Sequence, residues 1–301
     1  MERRNPIAFQ LNIQSKTQKM RVIHQLMLLV GLLFASSPTI LAQDSKKPNL
    51  GRIRIVDMLE LPAYSKGKYQ EQFLIKHRYT VSFNAKNRLP NWVAWIQNKN
   101  HYQGVKADRV AFNSDALIPS CPTHGEYNQK YTNGQYVRGH MCPREASMWT
   151  EEARKCADTM SNICPQTSTI NGNGGSWRKI ENACKEWCDN NNFAELYIVC
   201  GPILSSIWTW LPTTPEIAVP MKYFKAILGK KDDGSFSGIA YVFNNDLVGK
   251  AQYMTIDQVE EITGYDLFHN LDDSIEREIE RSIDEAAFNN CSRNGTITRK
   301  Y

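Results

Sequence analysis

The sequence predicts one α+β domain over residues 76–290, and three observations carry that expectation. Short apolar runs at Tyr79–Phe83, Trp92–Ile96, Leu196–Leu204, Val219–Leu228 and Gly238–Phe243 have the length and chemistry of strands. From Trp177 to Trp187 the apolar residues recur at helical spacing instead. Strands and helices mix without strand–helix–strand alternation, which points away from a parallel, doubly wound sheet. A composition of 42% hydrophobic and 22% charged residues over 301 positions is enough to bury a core.

Two segments of different character precede this domain. From Met20, a basic start at Arg21 leads into an apolar run centred on Leu26–Phe34, then Ser36, Ser37, Pro38 and Ala42. That is the layout of a secretory signal peptide cleaved after Ala42. The run is shorter than the roughly 18 apolar residues a membrane span needs, and no later segment approaches that length. Residues 1–19 read as an upstream extension, with Met20 an alternative start. Residues 43–75 are polar and aperiodic, and read as an N-terminal arm or tether.

Within the domain, Tyr79–Phe83 alternates as a strand does, and Trp92–Ile96 follows Pro90. Residues 97–135 are polar and turn-rich, so surface loops are expected. Lys231-Asp232-Asp233-Gly234 is a turn between the last two strands. Thr255–Glu261 reads as a short helix capped by Thr255, with Glu260 and Glu261 on its exposed face. Residues 272–287 form a charged helix, and 291–301 a C-terminal tail.

The formal net charge of +5 belongs largely to the leader. Residues 1–42 hold Arg3, Arg4, Lys16, Lys19 and Arg21 against Glu2, so the remainder sits near +1. A global positive field is therefore excluded, and any anion-binding surface must be local. All eight cysteines follow the leader: Cys121, Cys142, Cys156, Cys164, Cys184, Cys188, Cys200 and Cys291. An even number in an exported chain predicts disulfides, whose pairing the sequence does not set. Cys184 and Cys188 are four apart on the expected helix and no Cys-x-x-Cys pair occurs, which argues against structural zinc.

Chemistry concentrates in two segments. Val137-Arg138-Gly139-His140-Met141-Cys142-Pro143 sets a histidine at a strand-to-loop junction, beside a glycine that permits close approach and an arginine suited to a phosphate or carboxylate. Ser161-Asn162-Ile163-Cys164-Pro165-Gln166 leads to Ile170-Asn171-Gly172-Asn173-Gly174-Gly175-Ser176-Trp177-Arg178-Lys179-Ile180-Glu181. There, Trp177, Ile180, Cys184 and Trp187 form one helical stripe and Glu181 lies at its edge. Asn171 and Asn173 precede the helix, where asparagine serves as a cap or as a hard oxygen donor to Mg²⁺.

Together these segments resemble the DNA/RNA non-specific endonuclease family, the ββα-metal (His-Me finger) nucleases. The family's Asp-Arg-Gly-His signature is matched by Arg138-Gly139-His140. Its Ser-Asn-Ile-x-Pro-Gln element is matched by Ser161–Gln166, and its Asn…Trp…Glu helix by Asn171 or Asn173, Trp177 and Glu181. Pro90–Val93, Leu196–Leu204, Val219–Lys225, and Glu260 through Gly264 to Phe268 extend the resemblance in consistent order over residues 78–290. It implies a central antiparallel sheet flanked by helices, and a metal-dependent endonuclease acting on DNA and RNA without sequence preference. His140 would be the general base, Glu181 would orient metal-bound waters, and Arg109 would contact the phosphate. Asn171 or Asn173 would hold Mg²⁺ or Mn²⁺.

Two departures stand out. Val137 replaces the family's aspartate, removing one carboxylate expected near the histidine. The glycine-rich segment is two residues longer than the common form, so the metal-ligand position falls on Asn171 counted from Asn162 and on Asn173 counted back from Trp177. Two other classes share these residues: an inactive relative that only binds nucleic acid, and a phosphodiesterase of small phosphate esters.

Overall fold

A computed structural model describes residues 58–63, 71–105, 111–127, 135–289 and 297–300. The expected leader and Arg109 lie outside these residues. The apolar runs become strands of one sheet because successive side chains alternate between its faces. Its strands are β1 (Gln72–Ile75), β2 (Thr80–Asn84), β3 (Leu89–Gln97), β6 (Glu195–Pro202), β9 (Lys222–Lys230), β10 (Phe236–Asn244), β11 (Ala251–Met254) and β12 (Ile297–Arg299), adjacent in that order. All neighbours are antiparallel except β11 and β12. Two hairpin-like pairs stand apart: β4 (Tyr136–His140) with β5 (Ile163–Thr167), and β7 (Ile207–Leu211) with β8 (Ile217–Pro220). This is the α+β class expected.

Both faces of the sheet are covered, which is why its strands read as nearly continuous apolar runs. Val93 and Trp95 of β3, Ile198 and Cys200 of β6, and Tyr223 and Ile227 of β9 point into one core. The intervening Trp92, Ala94, Val199, Phe224 and Ala226 point into the other. The helices are α1 (Glu151–Ala157), α2 (Ser168–Asn171), α3 (Ser176–Asp189), α4 (Ile256–Thr263) and α5 (Asp273–Arg281). Helix α3 covers the first face with the predicted stripe of Trp177, Ile180, Cys184 and Trp187, all buried. Fully burying each large apolar side chain contributes about 1.5–3 kcal/mol. Helix α4 covers the second face through Ile256 and Val259.

The structure amends several expectations. Gln72–Ile75, read as the end of a tether, pairs with β2 as an edge strand; its alternating half-buried and exposed residues give only a weak apolar signal. Val219–Leu228 is two strands, because the chain breaks at Met221, whose N–H donates to Ser206 and whose carbonyl accepts from Asn245. The stretch after residue 97 is not all surface: Asp115, Ile118, Cys121 and Tyr127 are buried. Asp115 tolerates this because Ser161 Oγ donates to its carboxylate at 2.6 Å and Lys76 pairs with it. Thr255 caps α4 in a reciprocal capping box, as predicted. Glu260 is not on an open face, since its Oε1 accepts from Leu267 N at 2.6 Å.

The disulfide expectation also fails among the described residues. Cys121, Cys142, Cys156, Cys164, Cys184, Cys188 and Cys200 are all free thiols. All but the half-buried Cys156 fill the core as small apolar groups, and desolvation pushes Cys142 up to about 11 and Cys184 up to about 12. A thiol held protonated in this way is a poor nucleophile and resists oxidation. Alkylating the unfolded, unreduced protein and mapping its peptides should therefore label all seven. Recovering any two of them as a linked pair contradicts this arrangement.

Candidate active site

The β4–β5 pair and α3 together make a strand–strand–helix unit, with His140 as the last residue of β4, opposite Ile163. Gly139 is required there by space. A Cβ on it would meet Gln166 Oε1 at 2.0 Å, so the buried Gln166 side chain crosses the strand where only a hydrogen can stand. Beyond His140 the backbone is pinned by Asn162. Its Oδ1 accepts from Cys142 N, and its Nδ2 donates to the carbonyls of Cys142 and Ala157, each at 2.8 Å. Asn162 thus fixes the backbone of the loop that follows β4.

His140 is half-buried, and its Nε2 lies 3.1 Å from Asp158 Oδ1. An ionised carboxylate only accepts, so Nε2 is the donating nitrogen of this contact, and in the neutral ring that leaves the lone pair on Nδ1. Asp158 is 1% exposed. Its Oδ2 stands 3.4 Å from Arg144 Nε and 4.0 Å from Arg154 Nη1, so cations balance its buried charge. The ring of Phe112 lies 5.3 Å from that of His140, and the Arg138 guanidinium stacks over Phe112 at 5.0 Å.

Asp158 overturns the inference drawn from Val137. A carboxylate does stand beside the histidine, but it comes from the end of α1, eighteen residues on. Its only local signal was a single acid in the otherwise small and apolar run Ala157-Asp158-Thr159-Met160.

Helix α3 carries the second group of side chains. Trp177 Nε1 donates to Glu181 Oε1 at 3.0 Å, and Arg178 Nη1 lies 3.5 Å from Glu181 Oε2. Arg178 also donates from Nη2 to Glu145 at 2.9 Å. Burial pushes the Glu181 carboxyl above the usual range, and Lys225 is the largest opposing influence. Lys225 is itself 1% exposed, with its ammonium 3.9 Å from the Trp177 ring centre. Burial also acts to raise Glu145, but the Arg178 contacts outweigh it and hold that carboxyl low. The reading of the sequence missed Lys225, Arg144 and Glu145. A lysine within the apolar run Tyr223–Leu228 was the one available signal for the first.

These side chains frame an open cleft of about 380 Å³, whose lining includes Phe112, Arg138, His140, Arg144, Arg178 and Asn171. Asn171 ends α2 on the cleft wall, whereas Asn173 is exposed on the following turn, beside Gly174 at φ 79°. The structure therefore brings His140 and Asn171 together, sets Glu181 behind Arg178, and leaves Asn173 outside. The donor set suits a hard cation: an amide oxygen at the wall, a carboxylate near it, and an opening wide enough for waters.

A nuclease is the class that this fold and cleft define. The chain belongs to the DNA/RNA non-specific endonuclease family, whose pattern it matches over residues 61–274. It is similar to a nuclease of Nostoc sp., with 28% identity over 70% of this chain and 78% of that one. It is also similar to a nuclease of Serratia marcescens, with 25% identity over 67% and 77%. The human mitochondrial nuclease EXOG is 28% identical over 64% of this chain and 56% of its own length. Among solved structures, EndoG in complex with EndoGI shares the fold, with a TM-score of 0.56 and 18% identity over 67% of this chain and 88% of that one. The protein is thus a hydrolytic nuclease, and no described helix is long and apolar enough to cross a membrane.

Proposed function

We propose that this nuclease is exported and hydrolyses phosphodiester bonds of DNA and RNA without sequence preference, with His140 as general base. The observation that carries this reading is the His140–Asp158 contact at 3.1 Å on the wall of an arginine-lined cleft. Asp158 fixes the ring and its tautomer, so Nδ1 can take the proton of the attacking water. Arg138, Arg144 and Arg178 face the same cleft and offset phosphate charge as the pentacoordinate state forms. Arg109 joins them by family resemblance.

Asn171 would hold Mg²⁺ (or Mn²⁺) through its amide oxygen, and Glu181 would orient the ion's waters. When bound, the ion polarises the phosphate and stabilises the leaving 3′ oxygen. Lys225 favours the ionised form of Glu181 that this role needs. Lack of base preference follows from the groups facing the cleft, which address phosphate, metal and water rather than base edges. Export rests on the leader read from Met20 to Ala42.

The test is incubation of purified protein with supercoiled plasmid and with a folded RNA, in Mg²⁺ and in EDTA. Internal cleavage of both in Mg²⁺ is expected, with none in EDTA. Turnover of a small phosphodiester alone, with both polymers left intact, overturns the reading.

A further inference from the structure

On the face of the sheet that α4 and α5 cover lies a carboxylate cluster that the hydrolytic site does not use. Asp257 and Glu260 belong to α4 and Glu280 to the last turn of α5, and one oxygen from each lies within 4.8 Å of the others. Both helices rest on β10, so the cluster sits in the seam between them.

A second, independent feature marks this seam. Glu280 is only 8% exposed, and its Oε1 is buried with no hydrogen-bond partner. One turn earlier, Glu276 also has a buried Oε1 without a partner. Glu260 spends Oε1 on Leu267 N and keeps Oε2. Asp266 adds further negative charge. Arg277 offsets only part of the charge at Glu276, and its Nε is engaged by the carbonyl of Asp273. A buried carboxylate without a donor is unfavourable, and a cluster of them more so. What satisfies such a seam is a compact positive charge that takes several oxygen ligands at once.

We propose that Asp257, Glu260 and Glu280 form a second cation site, which binds a hard divalent ion, Ca²⁺ in particular, and ties α4 to α5. Oxygen-only donors select a hard cation. Opposite ligands of Ca²⁺ stand about 4.6–5.2 Å apart and tolerate irregular geometry, whereas Mg²⁺ demands an octahedron of about 2.0–2.1 Å radius. The three oxygens lie within 4.8 Å of one another, close enough to surround one ion, and the tolerance of Ca²⁺ for irregular geometry suits donors from two separate helices. Asp257 is exposed and leaves an entry path with room for waters.

The experiment uses the full chain carrying Asn171→Ala, which removes the proposed cleft ligand, alone and combined with Glu280→Gln or Asp257→Asn. At pH 8, calorimetric titration of the Asn171→Ala protein should show one Ca²⁺ bound, with Tm rising by about 5 °C or more at saturation. Either added substitution should weaken Ca²⁺ binding at least about tenfold, in line with loss of a coordinating carboxylate. Without Ca²⁺, the Glu280→Gln chain should melt no lower than its parent at pH 8, since the amide removes an uncompensated charge; that result also shows that the variant folds. No Ca²⁺ bound to the Asn171→Ala protein, or unchanged affinity in both double variants, overturns the site and leaves carboxyls that share protons.

Discussion

His140→Ala should lower the rate of DNA hydrolysis by about 10²–10⁴-fold while leaving fold and substrate affinity nearly intact, since removal of a general base costs that much. The side chain ends a strand at the cleft wall and is half-buried, so truncation opens no large core cavity. Asp158→Asn separates orientation from proton transfer. An amide in place of the carboxylate no longer enforces the tautomer with its proton on Nε2, so turnover should drop at least about tenfold at unchanged substrate KM. The two losses should not add when combined, because both act through one imidazole. An His140→Ala protein with wild-type circular dichroism and activity within about threefold of wild type removes His140 from the base role, given the expected loss.

What the sequence reveals here is mostly what local periodicity encodes. The α3 stripe, the Thr255 cap and five of the sheet strands follow from spacing within a single element. The arrangement around His140 does not, because its partner Asp158 is set by how α1 returns against β4. No periodicity links residues 140 and 158, and a comparison of motifs alone reads Val137 as a lost carboxylate. Lys225 was hidden for a related reason. It occupies a core-facing position of β9 beneath Trp177, where alternation predicts an apolar residue. The edge strand β1 escaped because one-sided cover gives it only a weak apolar alternation. The cysteines misled because an even count carries no information on distance, and burial as thiols satisfies the same composition.

Asn171→Ala and Asn173→Ala should differ sharply. Counting from either end of the glycine-rich loop leaves both residues eligible, but the fold does not treat them alike. Asn171 terminates α2 on the wall that also presents His140, whereas Asn173 is exposed on the Gly172–Gly175 turn. In that turn Gly174 takes a left-handed φ of 79° and Gly175 N–H donates to Gly172 O at 2.9 Å. Asn171→Ala removes the direct protein oxygen proposed for Mg²⁺, so the midpoint of Mg²⁺ activation should rise at least about tenfold, the lower end of what losing even an outer partner costs. Asn173→Ala changes an exposed turn residue, and its activation curve should overlay wild type, with stability altered by no more than about 0.5 kcal/mol. Measuring activity against Mg²⁺ concentration for both variants, each with its melting curve, decides the assignment. A shifted midpoint for Asn173→Ala alone transfers the ligand role to Asn173, and unshifted curves for both remove the metal from this loop.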